Sequence, residues 1–399
     1  MSDDLATRPV VTLLRTRSRR AEQGHPWIFS NEIAIDDKAK ALPPGTLVTI
    51  ATAEGRRLGV ASFNPHALIA ARLFDRDPGR RIDAGFFAAR LKAALGLRER
   101  LFAEPCYRLI HAEADGLPGL VVDRFGDEIV CQLNTAGMTL LEPVLIEALD
   151  KVLNPSLIVF RNDGVGRGLE GLPEEIRNVR GEAPARTTLV ENGARYLTQL
   201  AAQQKTGWFY DQRPNRAFVA DLARGLSVLD CYSFIGGFGV LAAARGAASV
   251  TLLDRSEAAL GLALESAEAN GVAGRVQARQ GDAFDTLAAL GAAKERFDVV
   301  VLDPPAFVRT RKDLGAGARA YRKLIRLGAQ VTARRGFLFA ASCSHNMPLA
   351  DFEEAVRAGL ADADRAGRIL RIGFAGPDHP VHPALPESAY LKAVTLALD

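Results

Sequence analysis

VLDCYSFIGGFG (residues 228–239) is the stretch whose reading decides the fold. An apolar run that stops at Asp230 reads as a buried strand. Gly236, Gly237 and Gly239 follow, and the Ala-rich stretch from Val240 to Ala244 reads as a helix. A strand, a glycine turn and a helix N-terminus make a cradle for a nucleotide-type cofactor. The glycines let the backbone approach the ligand, and the free helix N–H groups point at it. The GxGxxG spacing of pyrophosphate-binding folds is absent. Many doubly wound proteins have a glycine-rich first turn, so the following residues have to specify the ligand.

They do so by position. SVTLLD (249–254) reads as the next strand and ends in Asp254. Ser256 caps a helix over 257–271. The strand in RVQARQGDAF (275–284) puts Asp282 at its end, and FDVVVLDPP (297–305) reads as a central parallel strand. RGFLFAASCS (335–344) is another. Such alternation implies right-handed crossovers and an open parallel sheet, an α/β doubly wound class, with ligands at the strand C-terminal ends. Asp230, Asp254, Asp282, Asp303 and Cys343 all fall there.

Each strand end suggests a chemistry. Asp254 lies 18 residues after Gly236, where a carboxylate accepts from ribose hydroxyls. That fits NAD and S-adenosylmethionine equally. Asp282 suits the exocyclic amine of an adenine. Asp303-Pro304-Pro305 makes a rigid extended turn, since each proline fixes its own φ and restricts its predecessor. Such a turn can hold a carboxylate beside a flat, flipped-out base. Ser342-Cys343-Ser344 then separates two kinds of methyl transfer. An exocyclic amine or 2′-hydroxyl needs no covalent nucleophile, whereas carbon 5 of a pyrimidine does. A thiolate adding at carbon 6 makes carbon 5 enamine-like, and Asp303 as an acid at N3 favours the addition. Cysteine is the apt nucleophile. Cys106, Cys131 and Cys231 read as small buried hydrophobes.

Upstream, residues 8–75 look like a small β-rich domain, with strand-like runs at 10–14, 46–51, 58–63 and 68–74 and HPWIFSNEI (25–33) in the first connection. Asp83 caps a helix over 84–102. A meander over 107–133, a helix over 139–153 and a strand over 157–163 follow. The Gly/Pro/charge-rich segment 164–187 reads as a linker, and 187–200 as a hairpin around Asn192-Gly193. QKTGWFYDQRPNR (204–216) comes next. Trp208, Phe209 and Tyr210 suit core packing. Lys205, Asp211, Gln212 and Arg213 beside them would be costly to bury unpaired, which favours a cofactor-facing loop.

The whole-chain properties are ordinary. The chain has 399 residues, 48% hydrophobic and 24% charged, enough for two or three domains. No apolar run is long enough for a membrane helix and the N-terminus has no signal-peptide core, so a cytoplasmic protein is expected. Four dispersed cysteines exclude a disulfide framework or zinc site, and no metal is expected. The net charge of +3 carries no nucleic-acid argument. Two arginine clusters, Arg8, Arg15, Arg17, Arg19 and Arg20, then Arg72, Arg76, Arg80 and Arg81, are either solvated faces or phosphate contacts.

KTGWFYDQR, VLDCYSFIGGFG, VVLDPPAF and ASCSHNM, in this order, resemble the bacterial 23S rRNA (cytosine-5)-methyltransferase I family. The resemblance extends to HPWIFS, DGLPGLVVDRFGD and DHPVHPALPESAYLK (378–392), nearly the whole chain. It implies an N-terminal PUA-like RNA-binding domain (1–78), a central α/β domain with linker (79–186) and a class I methyltransferase domain with a Rossmann-like sheet (187–399). It implies S-adenosylmethionine as cofactor and large-subunit rRNA as partner, with no membrane and either monomer or homodimer. Cys343 is then the nucleophile with Asp303 at the base. Phe209, Asp211, Arg213, Asp230, Tyr232, Gly236, Gly237, Asp254, Asp282 and Asp303 line the cofactor, with the loop Lys205–Arg213 closing over it. Members often carry Lys after DPP, whereas this chain has Ala306. Trp27, Phe29 and the arginine clusters would touch RNA away from the pocket. A flipped-out cytosine costs a few kcal/mol unless it already lies in a loop, so exposed rRNA segments are the natural substrate. Two alternatives stand beside this: amine methylation, for which an aromatic directly after the double proline is expected instead of Ala306, and a non-catalytic RNA-binding assembly factor.

Overall fold

The computed structural model describes residues 8–200 and 207–399, of Val165 the backbone only. They form two compact units. The first takes in the described residues of 1–185 and 199–208, together with Pro377–Pro386.

Its N-terminal sheet holds β1 (Val10–Thr12), β2 (Trp27–Phe29), β3 (Thr46–Ala51), β4 (Arg57–Phe63) and β5 (Ile69–Asp75), in the order β1-β3-β4-β5-β2. Two single turns, α1 (Arg19–Glu22) and α2 (Asp37–Lys40), lie in the connections. HPWIFS, expected to be only a connection, carries β2, which pairs antiparallel with β5. Helix α3 (Ala84–Leu101) starts where the Asp83 carboxylate accepts from the Phe86 N–H, the expected cap. The second sheet runs β6 (Cys106–His111), β7 (Leu120–Phe125), β8 (Glu128–Leu133), β9 (Leu157–Asn162) and β10 (Glu175–Arg180), side by side in that sequence. The helix expected over 139–153 is two, α4 (Ala136–Leu140) and α5 (Glu142–Val152), with Pro143 setting the start of the second.

The segment 164–187 is not a linker. A 3₁₀ turn over Val165–Glu170 carries Arg167, whose buried guanidinium donates to the carbonyls of Leu133 and Pro173. Strand β10 then joins β9 antiparallel. It is an edge strand, so it lacks the apolar run that marks a central one.

The two sheets of this unit share a boundary. Val60 and Phe74 pack in one core with Phe86, Phe87 and Leu109. Arg72 pairs with both Glu113 (3.4 Å) and Glu170 (3.1 Å), and the Trp27 indole N–H donates to Glu113 at 2.7 Å. Trp27 therefore spends its polar atom on the neighbouring sheet's elements.

The second unit comprises Arg186–Thr198, Phe209–Gly376 and Glu387–Asp399. It opens with the hairpin β11 (Thr187–Glu191) and β12 (Ala194–Thr198), as expected around Asn192-Gly193. After α6 (Arg213–Leu222) come β13 (Ser227–Cys231), α7 (Gly237–Ala244), β14 (Ser249–Asp254), α8 (Glu257–Ala269), β15 (Val276–Gln280), α9 (Ala283–Ala292), β16 (Phe297–Leu302), α10 (Leu314–Val331), β17 (Thr332–Ser342), α11 (Leu349–Asp362), β18 (Gly367–Phe374) and β19 (Lys392–Leu398). The sheet order is β15-β14-β13-β16-β17-β19-β18. It is parallel through β17, as the alternation dictates. Beyond the strands read from sequence, β19 extends the sheet antiparallel to both β17 and β18. Neither β18 nor β19 was read from sequence; β18, the edge strand, is largely exposed and shows no buried apolar run. Leu229, Val300 and Leu338 from the sheet pack with Tyr321, Leu324 and Phe352 from α10 and α11. No helix among the described residues is long and apolar enough to cross a membrane.

In the first unit the segment Pro377–Pro386 is held by Arg98. That side chain is fully buried and donates to both carboxylate oxygens of Asp115 at 2.8 Å, to the Arg108 carbonyl and to the Asp378 carbonyl. Removing one partner of such a buried pair strands the other. Arg98→Met is expected to cost about 3–5 kcal/mol, read as a lower urea midpoint, with Arg98→Lys recovering only part because an ammonium cannot bind bidentately. A shift below about 1 kcal/mol would contradict this account.

Candidate functional site

The site grows from the turn between β13 and α7. Asp230 is 1% exposed. Its Oδ2 accepts from the Gly239 N–H at 2.8 Å, tying the strand to the second residue-pair of the helix. Burial pushes its carboxyl up to about 7, a rise that the Gly239 bond opposes and the charge of Asp303 reinforces. Its Oδ1 is buried and has no hydrogen-bond partner among the described residues, and the same holds for the Ser233 hydroxyl in the same turn. Two non-glycine residues bracket Ser233 in the left-handed region, Tyr232 at φ 61° and Phe234 at φ 51°. Strain of this kind persists only where the surroundings over-determine it, and it gathers at functional sites.

Gly236 is in the same region at φ 82°, where a side chain would be strained. A Cβ on Gly239 would meet Leu252 Cδ2 at 2.3 Å and Val250 Cγ1 at 2.8 Å. Close helix–strand packing thus demands this glycine independently of any ligand. Gly237 is the first residue of α7, and its carbonyl accepts from the Tyr196 hydroxyl at 3.1 Å.

Asp254, at the end of β14, accepts from the Phe234 N–H and the Ser256 N–H, both at 2.9 Å. It stands beside the turn with one backbone bond on each oxygen. Asp282 lies just after β15, where it caps α9 through the Phe284 and Asp285 N–H groups and pairs with the exposed Arg255 at 2.9 Å. The structure therefore brings Asp230, Tyr232, Gly236, Gly237 and Asp254 to one turn, and sets Asp282 on the next strand end with a capping role of its own.

Residues 209–216 pack against this edge. Phe209 meets Phe234 edge-on at 5.4 Å, and the Phe209 carbonyl accepts from Arg216. Arg216 is buried and pairs with Glu191 at 2.7 Å. Arg213 lies 3.6 Å from Glu191 and over the Tyr210 ring, and Asp211 accepts from the Tyr390 hydroxyl. These pairs show what makes the charges of this stretch tolerable in the interior. Lys205, the start of the expected closing loop, lies outside the described residues. Gln212, expected only as part of a cofactor-facing loop, donates to Asp303 Oδ1 at 2.8 Å and accepts from Asn215 at 2.7 Å.

The ends of β16 and β17 complete the site. Asp303 is partly buried and opens the Pro304-Pro305 turn. The Cys343 thiol approaches the Pro304 carbonyl at 3.9 Å. Cys343 is half-buried, whereas Cys106, Cys131 and Cys231 are buried. The next residue, Ser344, is fixed from both sides, since its hydroxyl accepts from the Val308 N–H and meets the Tyr321 hydroxyl, each at 3.1 Å. Phe307, one residue after Ala306, packs on Tyr321 at 4.7 Å and thus belongs to the core. No group of His, Cys, Asp and Glu among the described residues could hold a metal ion.

Comparison with known proteins places this geometry. A PUA-like domain family matches residues 11–76, and an S-adenosylmethionine-dependent methyltransferase family matches residues 174–361. The chain is similar to ribosomal RNA large subunit methyltransferase I of Shewanella denitrificans, with 36% identity over 95% of this chain and 96% of that one. The same-named protein of Aeromonas salmonicida is 35% identical over 97% and 98%. Among solved structures, a SAM-dependent methyltransferase from Streptococcus mutans covers 98% of this chain and all of its own, with TM-score 0.81 at 22% identity. A methyltransferase solved with SAH gives TM-score 0.82 at 22% identity, over 98% of this chain and 99% of that one. Together these matches establish the fold: a class I methyltransferase sheet with a PUA-like N-terminal domain. S-adenosylmethionine is the cofactor.

A carboxyl whose folded-state pKa is raised holds its proton longer when folded. Stability therefore falls as pH climbs from the unfolded value near 3.8 to about 7. Asp230→Asn keeps an acceptor for Gly239 and removes that titration. The ligand-free Tm of the variant is expected to gain on wild type progressively between pH 4 and pH 8. A difference that stays flat with pH would show an ordinary carboxyl.

Proposed function

The chain belongs to the ribosomal RNA large subunit methyltransferase I family, and we propose that it transfers a methyl group to carbon 5 of a cytosine in RNA, with 23S rRNA as the substrate, through a covalent Cys343–base intermediate. The observation that carries this reading is the position of Cys343: the one half-buried cysteine, at the end of β17, with its thiol against the Asp303-Pro304-Pro305 turn.

The residues present fit the cofactor. S-adenosylmethionine supplies an electrophilic methyl on a positively charged sulfur. Asp230 and Ser233 offer buried polar atoms with no protein partner among the described residues, and a buried carboxylate favours a cationic ligand. In this reading Asp254 holds ribose hydroxyls, Asp282 the adenine amine, and Phe209, Asp211, Arg213, Tyr232, Gly236 and Gly237 line the remainder. Asp303, oriented by Gln212, presents its carboxyl to the pyrimidine at N3. The Cys343 thiolate adds to carbon 6, and carbon 5 becomes nucleophilic and accepts the methyl. Loss of the carbon 5 proton then restores the double bond and expels the thiolate. The proposed domain limits are 1–78 for RNA capture, 79–186 for the central part and 187–399 for catalysis.

Intact-protein mass spectrometry with a 5-fluorocytosine-containing rRNA fragment and S-adenosylmethionine tests this directly. Fluorine cannot leave as a proton, so the wild type is expected to carry an RNA adduct that Cys343→Ser lacks. Methyl transfer to ordinary RNA without any adduct would overturn the covalent reading and move the reaction to an amine or ribose.

A further inference from the structure

Lys392 is the first residue of β19 and lies opposite Ser342 in the antiparallel register with β17, one residue from Cys343. Its side chain passes into the interior, and the residue is only 5% exposed. The ammonium donates to the carbonyls of Ser344 and Met347, both at 2.7 Å. The Met347 N–H also reaches the Ser344 carbonyl, at 3.2 Å, so Lys392 clamps the turn that begins at the candidate nucleophile. No carboxylate forms an ion pair with it among the described residues. A buried ammonium that faces only neutral carbonyls is expensive, and two hydrogen bonds offset that cost incompletely. A lone buried cation is retained where an anion forms beside it. The anion this site can generate is the Cys343 thiolate.

Resting on the reading of Cys343 as nucleophile, we propose that Lys392 is a positioning residue which holds the Cys343 turn in place and supplies the positive charge that keeps that thiol ionised. Burial pushes the Lys392 ammonium down to about 8, and Cys343 is the charged group that opposes the fall. The other titratable groups facing this corner are Tyr321 on α10, bonded to the Ser344 hydroxyl, His345, whose ring lies 5.0 Å from that of Tyr390, Tyr390 itself with its partner Asp211, and Asp303 across the Pro-Pro turn. Tyr321 is held above the ordinary tyrosine range by burial and stays neutral. Among the described residues, the cation bonded to this turn is Lys392. Lys392 was read from sequence only as the last residue of DHPVHPALPESAYLK, because it begins a strand that sequence did not reveal.

The test reads the thiol rather than methylation. The native full chain is alkylated with iodoacetamide between pH 6 and 10 and followed by intact mass, with Cys343→Ser to confirm that the first adduct is Cys343. The three buried cysteines make that assignment clean. Lys392→Gln keeps N–H donors for the two carbonyls and loses the charge. It is expected to alkylate about tenfold more slowly at pH 7, with the profile moved up by about one pH unit. Lys392→Arg keeps the wild-type profile. A folded Lys392→Gln variant with the wild-type profile overturns the proposal. If that variant does not fold, a wild-type profile centred at an ordinary thiol value near 8.5 overturns it instead. A Lys392-dependent thiolate in a protein that forms no fluorocytosine adduct would leave this inference standing and remove the cytosine reading.

Discussion

The hydrogen bond from the Gly239 N–H to Asp230 is the constraint on which the candidate site depends. It fastens the start of α7 to the end of β13 and so fixes how sharply the chain turns between them. The turn is tight enough to force Tyr232 and Phe234 into the left-handed region, at about 1–2 kcal/mol each. A bond to a buried carboxylate contributes about 1.5–3 kcal/mol. The second carboxylate bond, from Phe234 to Asp254, is of the same kind and pins the other end of the strained segment. Together they offset the strain, and the neighbouring strand end is held by the same means. The result is a turn whose polar atoms are aimed before any ligand arrives, with one carboxylate oxygen left over.

The downstream half of this arrangement was legible in the sequence because parallel strands buried on both faces are continuous apolar runs, and each of these runs stops at a carboxylate. VLD, SVTLLD and FDVVVLDPP therefore put Asp230, Asp254 and Asp303 at strand ends without a structure. What stayed hidden has a common cause. Gln212 to Asp303, Arg216 to Glu191 and Lys392 to Ser344 join residues far apart in the chain, and only the folded topology selects those partners. β10 and β18 were missed because edge strands lack the apolar signature, and the segment holding Arg167 looked like a linker because its core-facing group is a guanidinium rather than an aliphatic chain.

Charge patterning misled in a different way. Of the cluster Arg72, Arg76, Arg80 and Arg81, the first is committed to Glu113 and Glu170, the second to the Glu22 carbonyl and the third to Asp75 and Asp77. Arg8 is buried on the carbonyls of Pro78 and Arg80. Arg72 ties the N-terminal sheet to its neighbour in the same unit, and the others fasten segments within residues 8–80 to one another. Arg17 and Arg19 remain exposed. An arginine count from sequence mixes structural cations with surface ones, and only the partners separate them.

The threading of the chain has a bearing on how the protein is made. Pro377–Pro386 belongs to the first unit, yet it interrupts the second between β18 and β19. β19 in turn is an interior strand, seated between β17 and β18. During synthesis, then, β17 emerges able to pair only with β16, its other edge stays open, and β18 has no strand to pair with until residues 392–398 follow, while Arg98 waits for Asp378. Neither unit is a contiguous stretch that can finish on its own as it leaves the ribosome. Quality control is thereby tied to near-complete translation: a chain released early exposes an unpaired β17 edge and a buried arginine short of one acceptor, the kind of nascent product that chaperones and proteases recognise.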